Sequence, residues 1–208
     1  MNGTAHATIG AATGFIIANN LQSTPSQTLL LIGIGTVSGL LPDLDIDGKL
    51  RGKITLSHKM FRAVAQLIGV LLICYSFYEG ANNERYIGMG IGLALLALSS
   101  SIKQKHMLTI TGIGILAGGL SLQEMWLLLL GIYILIASFV AHRTYTHSIL
   151  GVIFFGFIAA NLESSLAVDG VYYTCLIGYI SHLVGDSKFL PFNKRGIKLF
   201  LPIWSKDM

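Results

Sequence analysis

The sequence predicts an all-α fold: a polytopic transmembrane helical bundle of about eight helices, some of them short or buried. Three observations predict it. Of the 208 residues, 53% are hydrophobic and only 12% are charged, whereas a soluble domain carries about 25% charged residues. Mean hydropathy is +0.68. The chain has 24 glycines but only 4 prolines, and small residues let membrane helices approach closely.

Eight apolar segments follow one another along the chain, separated by short polar loops. Their bounds are 5–20, 28–41, 62–79, 86–102, 107–121, 125–141, 148–162 and 171–186. Several are shorter than the ~20 residues of a full span, so 5–20, 28–41 and 107–121 are expected to be short, tilted or buried. We find no repeat and no linker, and we predict one domain over residues 1–208 with a short basic cytoplasmic tail.

The distribution of Lys and Arg predicts the orientation of the chain. If it starts in the cytoplasm and crosses at each segment, 13 of its 14 basic residues fall on the cytoplasmic side and only Arg85 falls opposite. Cytoplasmic loops of membrane proteins concentrate such residues. We therefore predict a multi-pass protein of the inner, or plasma, membrane with both termini in the cytoplasm. Because the basic residues flank apolar runs, we expect lipids rather than nucleic acid as the partner.

The predicted topology also gathers the histidines. All six would lie at or near the cytoplasmic ends of helices, and four of the five acids on that side belong to local motifs. Histidines scattered at random over so many helices would not usually share one face. We therefore treat the polar motifs on this face as one candidate site.

The segment 41–48 (LPDLDIDG) ends the second apolar run with three carboxylates, those of Asp43, Asp45 and Asp47. Pro42 breaks the helix, so the acids are expected on a turn at the membrane interface. The spacing imitates the start of an EF-hand loop, but Ile54 stands where that loop requires a bidentate Glu, and we reject it. A solvated acidic turn is the simpler alternative.

Within 182–186 (HLVGD), His182 and Asp186 are four residues apart, which puts both side chains on one face of a helix. The pair can bind a metal ion, or Asp186 can orient His182. The mostly apolar flank favours a functional role, because ionisable groups near hydrocarbon are costly. A His–Asp hydrogen bond that only packs helices is the alternative.

The segment 141–148 (AHRTYTHS) holds two histidines, His142 and His147, which one straight helix would point apart. A turn between two helices would bring both inward. Between them, Arg143 offers a planar guanidinium suited to phosphate or carboxylate. An interfacial loop with polar anchors is the alternative.

His6 and His58 are weak signals alone, since a single histidine more often hydrogen-bonds a neighbour. Together, the histidines and aspartates form a donor set without thiolates, which suits Zn²⁺ first, with Mn²⁺ or Fe as alternatives. So many donors exceed one tetrahedral site and would suit about two or three divalent ions, the arrangement that clamps the attacking and leaving oxygens in phosphoester hydrolysis.

At these residues the chain resembles the YdjM family of inner-membrane metal-dependent hydrolases, which is distantly similar to zinc-dependent phospholipase C enzymes. The matching stretches are 4–6 (TAH), 40–45 (LLPDLD), 142–148 (HRTYTHS) and 178–186 (GYISHLVGD), in the family's order. The resemblance implies a membrane-embedded, metal-dependent hydrolase that acts on a phosphoester, such as a phospholipid head group at the cytoplasmic face.

The resemblance also implies a set of site residues. The implied metal ligands are His6, Asp43, Asp45, His58, His142, His147, His182 and Asp186. We name Arg143 and Asp47 as candidate catalytic residues. Arg143 can stabilise the charge that develops on a phosphoryl group, and Asp47 is the third acid of its turn.

Two other functions stay open at this stage. A divalent-cation transporter would also place acids and histidines in its membrane segments, but it needs ligands near the midplane with access from both sides. The outer halves of the apolar segments contain almost no polar ligands. A non-catalytic membrane adaptor or regulator could use the basic tail to bind a cytosolic partner, although no residue pattern identifies one.

Overall fold

The computed structural model describes residues 1–44, 58–101, 104–140, 143–188 and 196–204, except for the side chains of residues 58, 104 and 105. Within those ranges the fold is all-α, with eight helices and no strand. The helices are α1 (Gly3–Asn20), α2 (Pro25–Ser38), α3 (His58–Glu79), α4 (Asn82–Ser100), α5 (Gln104–Leu122), α6 (Met125–Phe139), α7 (Ile149–Leu166) and α8 (Val171–Asp186). Each predicted apolar segment corresponds to one helix, so the all-α prediction is confirmed.

Two short 3₁₀ helices join the longer elements near the candidate site. They are Leu41–Leu44, which follows α2, and Tyr145–His147, which precedes α7. The first contains Pro42, as expected of a turn that ends a helix. The second stops where Ser148 begins α7, since its hydroxyl accepts a hydrogen bond from the amide of Gly151 at 3.4 Å.

The described helices differ in length and hydropathy. Among the described helices, two stretches are long and apolar enough to cross a membrane, Lys59–Glu79 and Ile149–Leu166, each with mean hydropathy 1.8. His106–Leu122 and Met125–Phe139 are apolar but shorter. α2 has 14 residues, which at 1.5 Å per residue makes it about 21 Å long, less than the ~30 Å hydrocarbon core. Eight crossings therefore stay a prediction.

Contacts within the chain form two compact units. One contains Met1–Arg51 with Leu108–Met208, and the other contains Gly52–Met107. In the second unit, α3 and α4 pack against each other. In the first, α1, α2 and α8 pack mutually, α8 also packs on α7, and α7 packs on α6. The prediction of a single domain stays untested, and every site residue described below lies in the first unit.

α1 and α2 touch backbone to backbone. A Cβ atom added to Gly10 would lie 2.1 Å from the carbonyl oxygen of Gly35, and one added to Gly35 would lie 2.1 Å from that of Gly10. No side chain fits at this crossing, which is how small residues allow membrane helices to approach closely. The approach brings His6, one turn before Gly10, beside the end of α2.

Replacing Gly35 with Ala should lower the midpoint of thermal unfolding, because the new methyl group collides with α1 and such overpacking costs about 1–3 kcal/mol. Gly33→Ala is the matched control on the same helix, since a Cβ there meets nothing within 4 Å. The control should be neutral, or more stable by up to ~1 kcal/mol through helix propensity. Circular dichroism of both variants in one detergent measures the difference, and equal midpoints would contradict the backbone contact.

Candidate metal centre

The predicted site residues that the structure describes come together where the ends of four helices meet. His6 lies in the first turn of α1, Asp43 in the 3₁₀ helix after α2, His147 just before α7, and His182 and Asp186 in the last turns of α8. Three of the remaining candidates, Asp45, Asp47 and His142, lie outside the described residues, as does the side chain of His58.

Three potential ligand atoms form a compact triangle. Nε2 of His182 lies 3.2 Å from Nε2 of His147 and 3.4 Å from Oδ1 of Asp43. The third side, from Nε2 of His147 to the same oxygen, measures 3.6 Å. A tetrahedral zinc ion with bonds of about 2.0–2.1 Å to nitrogen holds its ligand atoms about 3.3 Å apart. The triangle therefore has the size of one face of a zinc coordination tetrahedron.

Asp186 completes the group. Its Oδ2 lies 3.9 Å from Nε2 of His182. One ligand atom each from Asp43, His147, His182 and Asp186 lies within 4.8 Å of all the others. Two imidazole nitrogens and two carboxylate oxygens, converging with little solvent between them, could hold a divalent metal ion.

Hydrogen bonds behind the two imidazoles turn their Nε2 atoms toward the centre. Nδ1 of His182 lies 2.8 Å from the carbonyl oxygen of Gly39, and Nδ1 of His147 lies 3.1 Å from the hydroxyl of Thr146. Since a carbonyl oxygen can only accept, Nδ1 of His182 carries the proton and Nε2 is bare in the neutral ring. Metal-binding histidines are commonly held in this way. The carbonyl of Gly39, rather than Asp186, therefore fixes the far nitrogen of His182.

Counting protons shows that the centre needs positive charge. With both imidazoles neutral, Nε2 of His182 has no proton, and Nε2 of His147 has at most one to share with its neighbours. Asp43 contributes only acceptor oxygens when ionised. The three facing atoms then have too few protons to satisfy one another, and either a further proton on an imidazole or a bound cation would supply the missing positive charge. The donors present fit a divalent metal.

His6 adds a further imidazole beside this group. Its ring stacks on that of His182, with centroids 3.8 Å apart, and its Nε2 lies 3.2 Å from Oδ1 of Asp186. The side chain is 1% exposed, and its Nδ1 has no hydrogen-bond partner among the described residues. An unpaired buried polar atom costs about 1–3 kcal/mol, so a ligand or cation near His6 would remove a real penalty.

Arg143 places a positive charge at the edge of the group. Its guanidinium donates a 2.8 Å hydrogen bond to Oδ2 of Asp186, while the amino group of Met1 donates to Oδ1 at 2.7 Å. Arg143 also donates to the carbonyl of Gly196 at 3.4 Å. Its backbone is in the left-handed region, with φ +62°. The loop before α7 is therefore shaped to aim this side chain at Asp186.

The centre opens on one side. The side chains of Asp43 and Arg143 are 18% and 22% exposed, whereas those of His147 and His182 are 0% exposed. A metal ion or a small anionic group would therefore approach from the side of Asp43 and Arg143. The buried imidazoles would contact it from the interior of the protein.

The electrostatics around Asp43 keep it ionised. Burial alone would raise the pKa of its carboxyl group, but the contacts with His147 and His182 outweigh burial, so the pKa lies well below its usual range. At neutral pH, Asp43 therefore presents carboxylate oxygens to the centre.

Sequence reasoning missed the groups that hold the imidazoles from behind. The carbonyl of Gly39 is 143 residues away from His182 along the chain, and a backbone carbonyl carries no sequence signature. The hydroxyl of Thr146 could have been suspected, because it directly precedes His147. The contact of the Met1 amino group with Asp186, 185 residues along the chain, has no sequence signature either.

Replacing Asp43 with Asn should remove one corner of the triangle and weaken binding of Zn²⁺ or Co²⁺ by more than about 100-fold, since changes to groups behind a metal ligand already cost 10–100-fold. Metal titration by calorimetry in detergent measures the effect. Asp169→Asn, an exposed aspartate in the turn between α7 and α8, is the control and should bind normally. Equal affinity of the two variants would remove Asp43 from the site.

Acidification should release the metal. Protons and metal ions compete for imidazole nitrogens, so affinity falls as the pH drops through the range around 6.5 in which histidine ordinarily protonates. Asp43 does not contribute to this loss, because the pKa of its carboxyl group is depressed and it stays ionised. Metal retained after dialysis between about pH 8 and pH 5 tests this. Retention independent of pH would contradict histidine ligation.

Comparison with known proteins identifies the family of the chain. A family model described as YdjM inner membrane protein matches residues 1–208. No match was found among curated proteins or among solved structures. The resemblance expected from the motifs is confirmed, and the description of the family places the protein at the inner membrane. The chain belongs to the YdjM inner membrane protein family.

Proposed function

We propose that this protein is a multi-pass inner-membrane hydrolase that uses divalent metal to cleave a phosphoester, such as the head-group linkage of a phospholipid, at the cytoplasmic face. The observation that carries the proposal is the triangle of Asp43, His147 and His182, with its 3.2–3.6 Å sides, beside the guanidinium of Arg143. Membership of an inner-membrane family supports the location.

The clustered donors suit Zn²⁺ first, with Mn²⁺ or Fe as alternatives, and Asp43, His147, His182 and Asp186 would hold the first ion. Such an ion polarises a phosphoryl oxygen and lowers the pKa of water towards ~7. His6 lies next to this group, and Asp45, His58 and His142 are further candidates from the sequence. These donors would be enough for about two or three ions in total.

Arg143 is proposed to bind the phosphoryl group. A guanidinium presents a planar set of donors that matches phosphate oxygens, and its positive charge stabilises the negative charge that develops during cleavage. The hydrogen bond to Asp186 at 2.8 Å fixes its orientation before substrate arrives, so less conformational entropy is lost on binding. Asp47 keeps its proposed catalytic role from the sequence.

His6 and Asp186 are placed to handle a proton. Nε2 of His6 is 3.2 Å from the carboxylate, within reach of hydrogen bonding, and both side chains are nearly fully buried. A histidine and a carboxylate in contact can hold a proton and deliver it to a leaving group, the usual role of a general acid. We assign that step to His6, whose ring Asp186 orients through its Oδ1 atom.

The position of the donors favours hydrolysis at the interface over ion transport. The described donors lie at the beginning of α1, after the end of α2, before α7 and in the last turns of α8, which is one end of these helices. Transport sites lie near the bilayer midplane with access from both sides. The proposed topology, with both termini and this end in the cytoplasm, follows the 13 basic residues that the sequence places there.

Hydrolysis can be tested directly on vesicles. Purified protein loaded with Zn²⁺ or Mn²⁺ is mixed with vesicles of phosphatidylethanolamine and phosphatidylglycerol, and phosphorus released into the water phase is measured. Release that needs both metal and Asp43 is expected. The proposal would be contradicted if no phosphorus were released from these lipids and none from a panel of soluble phosphoesters. Uptake of Zn²⁺ into protein-containing vesicles would favour a transporter instead.

Arg143→Lys should separate metal binding from cleavage. Lysine keeps the charge but not the planar fork, so metal content should stay normal while the rate falls by about 10–1,000-fold, in the range seen when a donor to the transition state is removed. Arg85→Lys is the matched control on the predicted opposite side of the membrane and should keep full activity. A normal rate for Arg143→Lys would exclude Arg143 from the reaction.

A further inference from the structure

A buried tyrosine ties the segment that carries one imidazole to the helix that carries the other. The hydroxyl of Tyr179, on α8, donates a hydrogen bond to the carbonyl oxygen of Thr146, in the 3₁₀ helix before α7. Because a carbonyl can only accept, Tyr179 uses its proton there. Its oxygen then accepts the hydrogen bond from the hydroxyl of Tyr133, which lies 3.0 Å away on α6. The chain of hydrogen bonds therefore runs from α6 through α8 to the 3₁₀ helix.

This bond acts at the right place to set the metal triangle. Thr146 directly precedes His147, and Tyr179 is three residues before His182, so about one helical turn separates each bonded group from its imidazole. The 3.2 Å separation of the two Nε2 atoms depends on how these two segments are held together. A shift of the 3₁₀ helix Tyr145–His147 would therefore change the distance between His147 and His182.

A second feature of α7 requires the same close approach. A Cβ added to Gly151 would lie 2.8 Å from the hydroxyl oxygen of Tyr179 and 2.9 Å from the carbonyl oxygen of Thr146. It would also lie 2.6 Å from the carbonyl oxygen of Tyr145. Gly151 therefore leaves the space in which the hydrogen bond forms, and any side chain there would push its two partners.

Packing alone does not explain the hydroxyl groups of Tyr179 and Tyr133. The ring of Tyr179 is 0% exposed and stacks on Phe155, with centroids 4.8 Å apart, while Tyr133 stacks on Phe154. Phenylalanine would fill the same space without the cost of burying a polar group. The hydroxyls therefore serve the hydrogen bond to Thr146 rather than the filling of the core.

We propose that Tyr179 is a positioning residue for the metal centre: supported by Tyr133 and given room by Gly151, it sets the separation of His147 and His182 and thereby the affinity and geometry of metal binding. The inference rests on the proposed function, because it assumes that these imidazoles bind a metal. It adds a residue that touches neither the ion nor the substrate.

Cobalt titration tests the role of Tyr179. Tyr179→Phe keeps the ring and removes the bond to Thr146, so Co²⁺ affinity should fall by about 10–100-fold. The visible bands of bound Co²⁺, which report coordination geometry, should change as well. Tyr173→Phe, which alters a 62% exposed ring on the same helix, is the control and should leave both unchanged.

A second pair of variants tests the space around the bond. Gly151→Ala should weaken Co²⁺ binding as Tyr179→Phe does. Gly156→Ala on the same helix should not, because a Cβ there makes only an ordinary contact of 3.6 Å with Leu176. If Tyr179→Phe or Gly151→Ala does not fold, Tyr133→Phe decides. It keeps the bond to Thr146 but loses its support, and a smaller loss of affinity in the same direction is expected.

The outcomes separate this inference from the proposed function. Tyr179→Phe could lower the thermal stability of the metal-free protein while leaving Co²⁺ affinity and spectrum as in the wild type. The hydroxyl would then be purely structural, and the inference would be overturned while the metal site survived. A wild-type protein that binds no Co²⁺ would overturn the proposed function, and the inference with it. If Tyr133→Phe is the only one of these variants that folds, normal Co²⁺ binding by it would also overturn the inference.

Discussion

The convergence of two imidazole nitrogens and one carboxylate oxygen within 3.2–3.6 Å of each other is the constraint on which the rest of the structure depends. Donor atoms without enough protons repel one another when they are removed from water. Packing must therefore hold such a group together, and a bound cation would stabilise it. Several features of the first unit serve that purpose, including the glycine contact between α1 and α2 and the hydrogen bonds behind both imidazoles.

The ends of helices supply much of this support. Gly39 follows the last turn of α2, where carbonyl groups have no partner within the helix. The Nδ1–H group of His182 satisfies one of them, so a requirement of helix termination also orients a candidate ligand. Ser148 begins α7 directly after His147, which confines that histidine to a short 3₁₀ helix. A site made from helix ends lies toward one side of the bundle, which suits the proposed hydrolysis at a membrane surface.

Much of the fold could be predicted from the sequence, because long apolar runs separated by short polar loops leave few alternatives to helices. Each predicted segment has its helix, although 28–41 ends earlier, at Ser38, where a 3₁₀ helix takes over. The four-residue spacing of His182 and Asp186 was enough to predict one shared helix face. Among the described helices, length and hydropathy support membrane crossing for Lys59–Glu79 and Ile149–Leu166.

The parts of the site that could not be predicted arise from contacts between residues far apart in the chain. Tyr179 resembles any aromatic residue in an apolar helix until α6, α7 and the 3₁₀ helix are packed around it. Gly39 contributes a backbone carbonyl, and Gly151 contributes the space in which Tyr179 reaches Thr146. Zinc-edge X-ray absorption of the purified protein is the most direct test of the central claim. We predict nitrogen and oxygen ligands at about 2.0–2.2 Å, with scattering from two or more imidazoles. Protein that binds no zinc when it is supplied, or a spectrum without imidazole scattering, would contradict it.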